Sequence, residues 1–195
     1  MATELHFRGE GGLYRVVDEA DGLPVRLPDD TVKVAPDLIT SVVSRAVAAA
    51  GNYDANDVVS NSATEASATP WVFDGMSPGV GKAGCIFAAS IVCSEDDVSG
   101  SRFRLFLLNE QPAADTVLAD NAALSFGAAD LDKVVCYIDF PAMIDIGAFS
   151  MAQAVGVNYG YYTTDKLYGV LQILDAETSE TAGMTVAIKL HAFGR

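Results

Sequence analysis

From Asn52 onward the chain is a series of short apolar runs broken by Gly, Asp, Asn and Pro, the spacing expected of strands in a sandwich or barrel. The clearest run is Gly84 to Ser94. Strict alternation there places Cys85, Phe87, Ala89, Ile91 and Cys93 on one face and Ile86, Ala88, Ser90 and Val92 on the other. Both faces are apolar, which predicts a central strand. Arg102 to Leu108 repeats the pattern, and the polar stretch SEDDVSGS between the two runs reads as a hairpin loop. Further strands are predicted at Lys133 to Phe140, Val157 to Tyr162, Leu167 to Leu174 and Met184 to Phe193. In the last, Met184, Val186, Ile188, Leu190 and Ala192 alternate with Thr185, Ala187, Lys189 and His191, a half-buried pattern. No repeat period and no long amphipathic helix appear in this part, and the fold class predicted is all-β: an antiparallel β-sandwich of the jelly-roll type.

The first part of the chain differs. Residues 34 to 51, VAPDLITSVVSRAVAAAG, are the best helix candidate, with Asp37 to cap it, an alanine run to propagate it and Gly51 to stop it. Its Val and Ile content keeps a strand open. Before it, LYRVVDEADGLPVRL has two β-prone runs around Asp21-Gly22, a hairpin signal. Eleven of the first 33 residues are charged, and the density halves after Lys33. Residues 1–50 therefore read as an N-terminal arm or hairpin segment and 51–195 as the β-sandwich domain. The competing reading makes the early runs the first strands of the same domain.

Composition narrows what such a domain does. At 195 residues, half of them hydrophobic, the chain is long enough to bury a core without disulfides. Twenty-six acidic against twelve basic residues give a net charge of −14, which repels a phosphate backbone and argues against nucleic acid as a partner. Surplus carboxylates of this kind serve solubility. Cys85, Cys93 and Cys136 are odd in number and sit among apolar neighbours, as buried reduced thiols of a cytoplasmically made protein would. The N-terminus MATELHFRGEGG has no apolar leader segment, and no apolar run reaches the ~20 residues of a membrane span.

Candidate chemistry is thin. His6 and His191 are the only histidines, so zinc sites and histidine-based triads lack parts. SPGVGKAG at 77 to 84 has Ala83 where a phosphate loop needs a hydroxyl, and it reads as a turn into the central strand. Asp96-Asp97, and Asp115, Asp120, Asp130 and Asp132 around Asn121, are the candidates for a calcium site or an acidic pair. Their spacing matches no calcium loop, and Asp and Asn are common turn formers. Trp71 and Phe73, or Tyr159, Tyr161 and Tyr162, are candidates for a sugar-stacking platform, with core packing the default reading. No catalytic, cofactor-binding or metal-ligating residue is assigned, and no enzymatic activity is expected.

Several of these points resemble, in order, the tailed-bacteriophage virion proteins that decorate or cement the capsid. The matching stretches are YDANDVVS at 53 to 60, the aromatic run near Trp71, the Gly-led strand at 84 to 94, RFRLFLLNEQP at 102 to 112, ADNAAL at 119 to 124 and the C-terminal TVAIKLHAF. The most specific element is the strand ending in Asn109-x-x-Pro112 followed by Ala119-Asp120-Asn121-Ala122. The resemblance covers roughly residues 50 to 195. It implies a β-sandwich that binds the major capsid protein on the capsid exterior as a homotrimer, assembled in the host cytoplasm, with no catalytic residues to carry over. The family's N-terminal segments vary, so the charged arm is left open. On this reading Asn109 to Asn121 is a structural corner, with Pro112 ending the pairing and Asp120-Asn121 shaping the return. The alternative is a carbohydrate-binding or host-adhesion module of the same fold class; a third reading is a hydrolase with an acidic pair.

Overall fold

The alternation read from Met184 to Phe193 is the outer frame of the fold, because this strand pairs along its whole length on both sides. The structure, a computed structural model, describes residues 5–6, 16–17, 38–49, 51–77, 82–95, 98–163, 165–177 and 183–194. It divides into two units, Met1–Ala35 and Pro36–Arg195. In the first, β1 (Leu5–His6) and β2 (Val16–Val17) pair antiparallel, Leu5 opposite Val17. The expected hairpin would have paired the first β-prone run across Asp21-Gly22. Its Val16–Val17 instead pair with Leu5–His6, and Asp21-Gly22 lies outside the described residues.

The second unit is an antiparallel sandwich. Its strands are β3 (Leu38–Ala46), β4 (Trp71–Phe73), β5 (Lys82–Cys93), β6 (Phe103–Leu108), β7 (Val134–Phe140), β8 (Ile144–Asp145), β9 (Ser150–Thr163), β10 (Leu167–Ile173) and β11 (Thr185–Gly194). One sheet has the order β4-β10-β6-β7, the other β3-β11-β5-β9-β8. Leaving aside the two-residue β8, the pairing is nested: β3 with β11, β4 with β10, β5 with β9 and β6 with β7. The chain is thus one long folded hairpin shared between two sheets.

Four expectations are corrected. The helix expected over 34–51 is a strand across Leu38–Ala46. Ile39, Thr40, Val42 and Val43 are β-branched, and β11 offers a full ladder of partners from Leu38 to Ala46, so tertiary pairing overrides the alanine run. That run falls beyond the strand, where Ala49 turns the chain at φ 43°. Secondly, SEDDVSGS does not close a hairpin. β5 and β6 belong to different sheets, so this connection crosses between layers, and Val98 within it is buried. Thirdly, the strand expected at Val157 to Tyr162 begins at Ser150. Gly156 and Asn158, both at positive φ, break its alternation, and the register against β5 slips between Ile86 and Ala88. The same bulge corrects the face assignment on β5: Ile86 turns inward together with Ala89, Ile91 and Cys93, all fully buried.

The core lies between the sheets. Trp71, Phe73, Phe103, Leu105, Leu107, Ile138 and Phe140 meet Ile86, Ala89, Ile91, Val186, Ile188 and Leu190. Met184, Val186, Ile188, Leu190 and Ala192 are all buried, as the alternation predicts. Burying a side chain of this size stabilises by about 1.5–3 kcal/mol, and the two inner faces supply most of the driving force.

Candidate interaction surface

Most residues singled out from the sequence serve the interior. Trp71 and Phe73 are 1% and 0% exposed, so neither forms a sugar platform. Tyr161 is buried as well. Its hydroxyl donates to the Met76 carbonyl oxygen, and burial, with a smaller contribution from Cys85, raises the phenol to about 12. The ring lies across Gly84, its partner on β5, where any Cβ would collide with it. Alternation then sends Tyr159 and Tyr162 to opposite faces of β9, so the three tyrosines share no surface. Gly84 is the part of SPGVGKAG that the structure explains; residues 78–81 lie outside the described residues, as do 96 and 97.

The carboxylates are also distributed. Asp120 accepts hydrogen bonds from the Tyr53 hydroxyl at 2.7 Å and the Ser60 N–H at 2.7 Å. Asp130, fully buried, accepts from the Ala113 N–H at 2.8 Å and the Thr116 hydroxyl, with Lys133 Nζ at 3.1 Å. Burial works to raise this carboxyl, and the bonds from Thr116, Ala113 and Lys133 outweigh it and hold it below its ordinary 3.8. Asp115 and Asp132 are exposed. Asp139 and Asp175 are taken by two-pronged pairs with Arg104 and Arg102. The thiols of Cys93 and Cys136 are pushed up to about 12, chiefly by burial. Arg45, on the inner face of β3, spans to the other sheet: its guanidinium sits 3.9 Å over the Trp71 ring and donates to the Thr69 and Pro70 carbonyls. Burial lowers it to about 10 against the opposing effect of Asp120.

The segment Asn109 to Asn121 is more than a corner. Residues 109–133 leave β6, cross its sheet and return as β7 beside it. Asn121, at φ 59°, donates its N–H to the Val58 carbonyl, and Val58 donates to Ala122. YDANDVVS and ADNAAL are therefore one hydrogen-bonded unit, joined further by Tyr53 to Asp120 and by a bridge between Asp57 and Ala123. This unit lies on the outer side of the four-stranded sheet. Val58, Leu108 and Val170 are buried there, with Phe106, Leu118, Leu124, Phe126 and Tyr168 packed around them.

The outer face of the five-stranded sheet is different. Its four long strands hold no aspartate or glutamate, in a chain where 26 of 195 residues are acidic. Leu38, Thr40 and Val42 on β3 stand opposite Phe193, His191 and Lys189 on β11. Phe87, at the bulge of β5, stacks on Phe193 with ring centroids 4.4 Å apart. Leu38, Val42, Val155 and Tyr162 are 64%, 54%, 71% and 58% exposed. The described loops that cover the other sheet have no counterpart on this one. Sequence reasoning gave these positions, Tyr162 apart, no role at a surface, although the absence of acidic residues from all four strands was visible in the sequence.

No family model matches the sequence, and no curated protein matches it. Among solved structures, the chain is similar to one described as "KBV activated particle at acidic pH", at 14% identity and a TM-score of 0.29, over 94% of this chain and 83% of that one.

Proposed function

We propose that this chain is a virion structural protein that decorates and stabilises a tailed-phage capsid exterior, binding the major capsid protein as an oligomer. The observation that carries the proposal is the asymmetry of the sandwich. One sheet is wrapped by the chain's own loops, and the other presents a broad, largely apolar face free of carboxylates in its four long strands. A large exposed apolar face on an otherwise acidic protein suits contact with another protein. The nested pairing supports a jelly-roll reading of the sandwich, a winding used by capsid and lectin domains alike. The motif resemblance favours the capsid, and two of its motifs, YDANDVVS and ADNAAL, form one hydrogen-bonded unit here. The carbohydrate-binding reading is weaker, because Trp71, Phe73 and Tyr161 are interior and the exposed Tyr159 and Tyr162 stand on opposite faces of β9.

On this reading the protein acts by holding. Several modest contacts per oligomer add up to a large avidity, which resists outward pressure on the shell without any bond being made or broken. Purified protein mixed with mature heads is expected to co-sediment with them and to raise their resistance to heat. A protein that stays in the supernatant at all ratios contradicts the proposal.

A further inference from the structure

The bare face has an occupant that its chemistry selects. We infer that the outer face of the five-stranded sheet seats another copy of this chain, with the stacked pair Phe87 and Phe193 at its centre. This rests on the reading above that the protein works as an oligomer, and it names the surface through which the oligomer forms.

Charge is the first argument. Copies that each carry −14 repel, and an approach that brings carboxylates together costs several kcal/mol. The four long strands of this sheet are acid-free, so two copies meeting through them bring no carboxylates of those strands together. Besides Cys85 and Tyr162, the ionisable groups that the described long strands place on the outer face are Lys189 and His191, both on β11. Area is the second argument. Four strands about 4.8 Å apart and about nine residues long, at about 3.3 Å each, present roughly 600 Å². That approaches the ~800 Å² per partner of a standard interface. The third argument is composition. The stacked pair has Leu38 opposite Phe193, Val155 opposite Ala88 next to Phe87, and the His191 ring 6.0 Å from Phe87, an aromatic and aliphatic cluster of the kind found at the centre of stable interfaces.

The test is the solution mass of the full chain by light scattering on a sizing column. The wild type is expected at a multiple of 20.5 kDa. Val42→Asp together with Val155→Asp puts charge at two exposed positions on the face, and is expected to weaken association about a hundredfold or more and give a 20.5 kDa monomer. Its circular dichroism should match the wild type. Leu131→Asp, at an exposed site outside both sheets, should leave the mass unchanged. A wild type that is monomeric at every concentration overturns the inference, and so does a double variant of unchanged mass or a Leu131→Asp variant that dissociates equally. A monomer that binds heads through this face would sink the self-contact and leave decoration standing. An oligomer that ignores heads would do the reverse.

Discussion

Single residues here do one of two structural jobs, filling the core or fixing a turn, and the titratable ones show it best. Asp130 is a carboxylate held entirely by its own segment, through Ala113, Thr116 and Lys133. Its carboxyl lies below 3.8 in the folded chain, so it stabilises the fold fully above that pH. The contribution fades as pH falls through the lower folded value. Asp130→Asn should cost about 2 kcal/mol at pH 7, the worth of hydrogen bonds to a charged group. The gap between variant and wild type should close on acidification below 3.8, as read from urea midpoints across pH. A gap independent of pH contradicts this account. Side-chain roles were only partly legible in the sequence. Cys93 and Cys136 are buried as their apolar neighbours imply. Tyr161 looked like its exposed neighbours in NYGYY, because nothing local reveals that Gly84 across the ladder makes room for its ring.

Among elements, the strands with clean alternation were readable and those with a defect were not. β11 has period two throughout, whereas Gly156 and Asn158 interrupt β9 and hide its first half. β3 carried the opposite trap. The alanines at and beyond its end favour a helix in isolation, and only the ladder offered by β11 shows why a strand forms. Connections were the least legible part, since a polar loop looks alike whether it closes a hairpin or crosses between sheets. The segment 109–133 exemplifies this: the turn at Asp120-Asn121 is visible, and its docking against 53–60 is not. That docking predicts a measurable coupling. Asp120→Ala removes the acceptor for Tyr53 and Ser60 and should destabilise the chain by about 3 kcal/mol in urea unfolding. Hydrogen exchange should quicken at both 53–60 and 119–124. Quickening at 119–124 alone would mean that the two stretches are not one unit.

At the scale of the whole molecule, the sandwich divides its labour. The four-stranded sheet is covered on its outer side by the chain's own segments, and the five-stranded sheet carries the exposed Leu38, Val42, Val155 and Tyr162, the face proposed above to meet another copy. Carboxylates are absent from the long strands of the open sheet, and the strands of the other sheet hold one, Asp139, which is paired with Arg104. This division was latent in the sequence, but the strands involved are distant in it, and only the nested pairing brings their acid-free faces together. The described carboxylates that the sequence offered as a site each have a structural partner or stand exposed, and the proposal made above is that the protein works by holding to a larger surface. Electron cryomicroscopy of mature heads incubated with the purified protein tests that claim most directly. The account predicts added density outside the shell, in units of 20.5 kDa copies whose five-stranded sheets face one another. Heads that remain bare at saturating protein would contradict it.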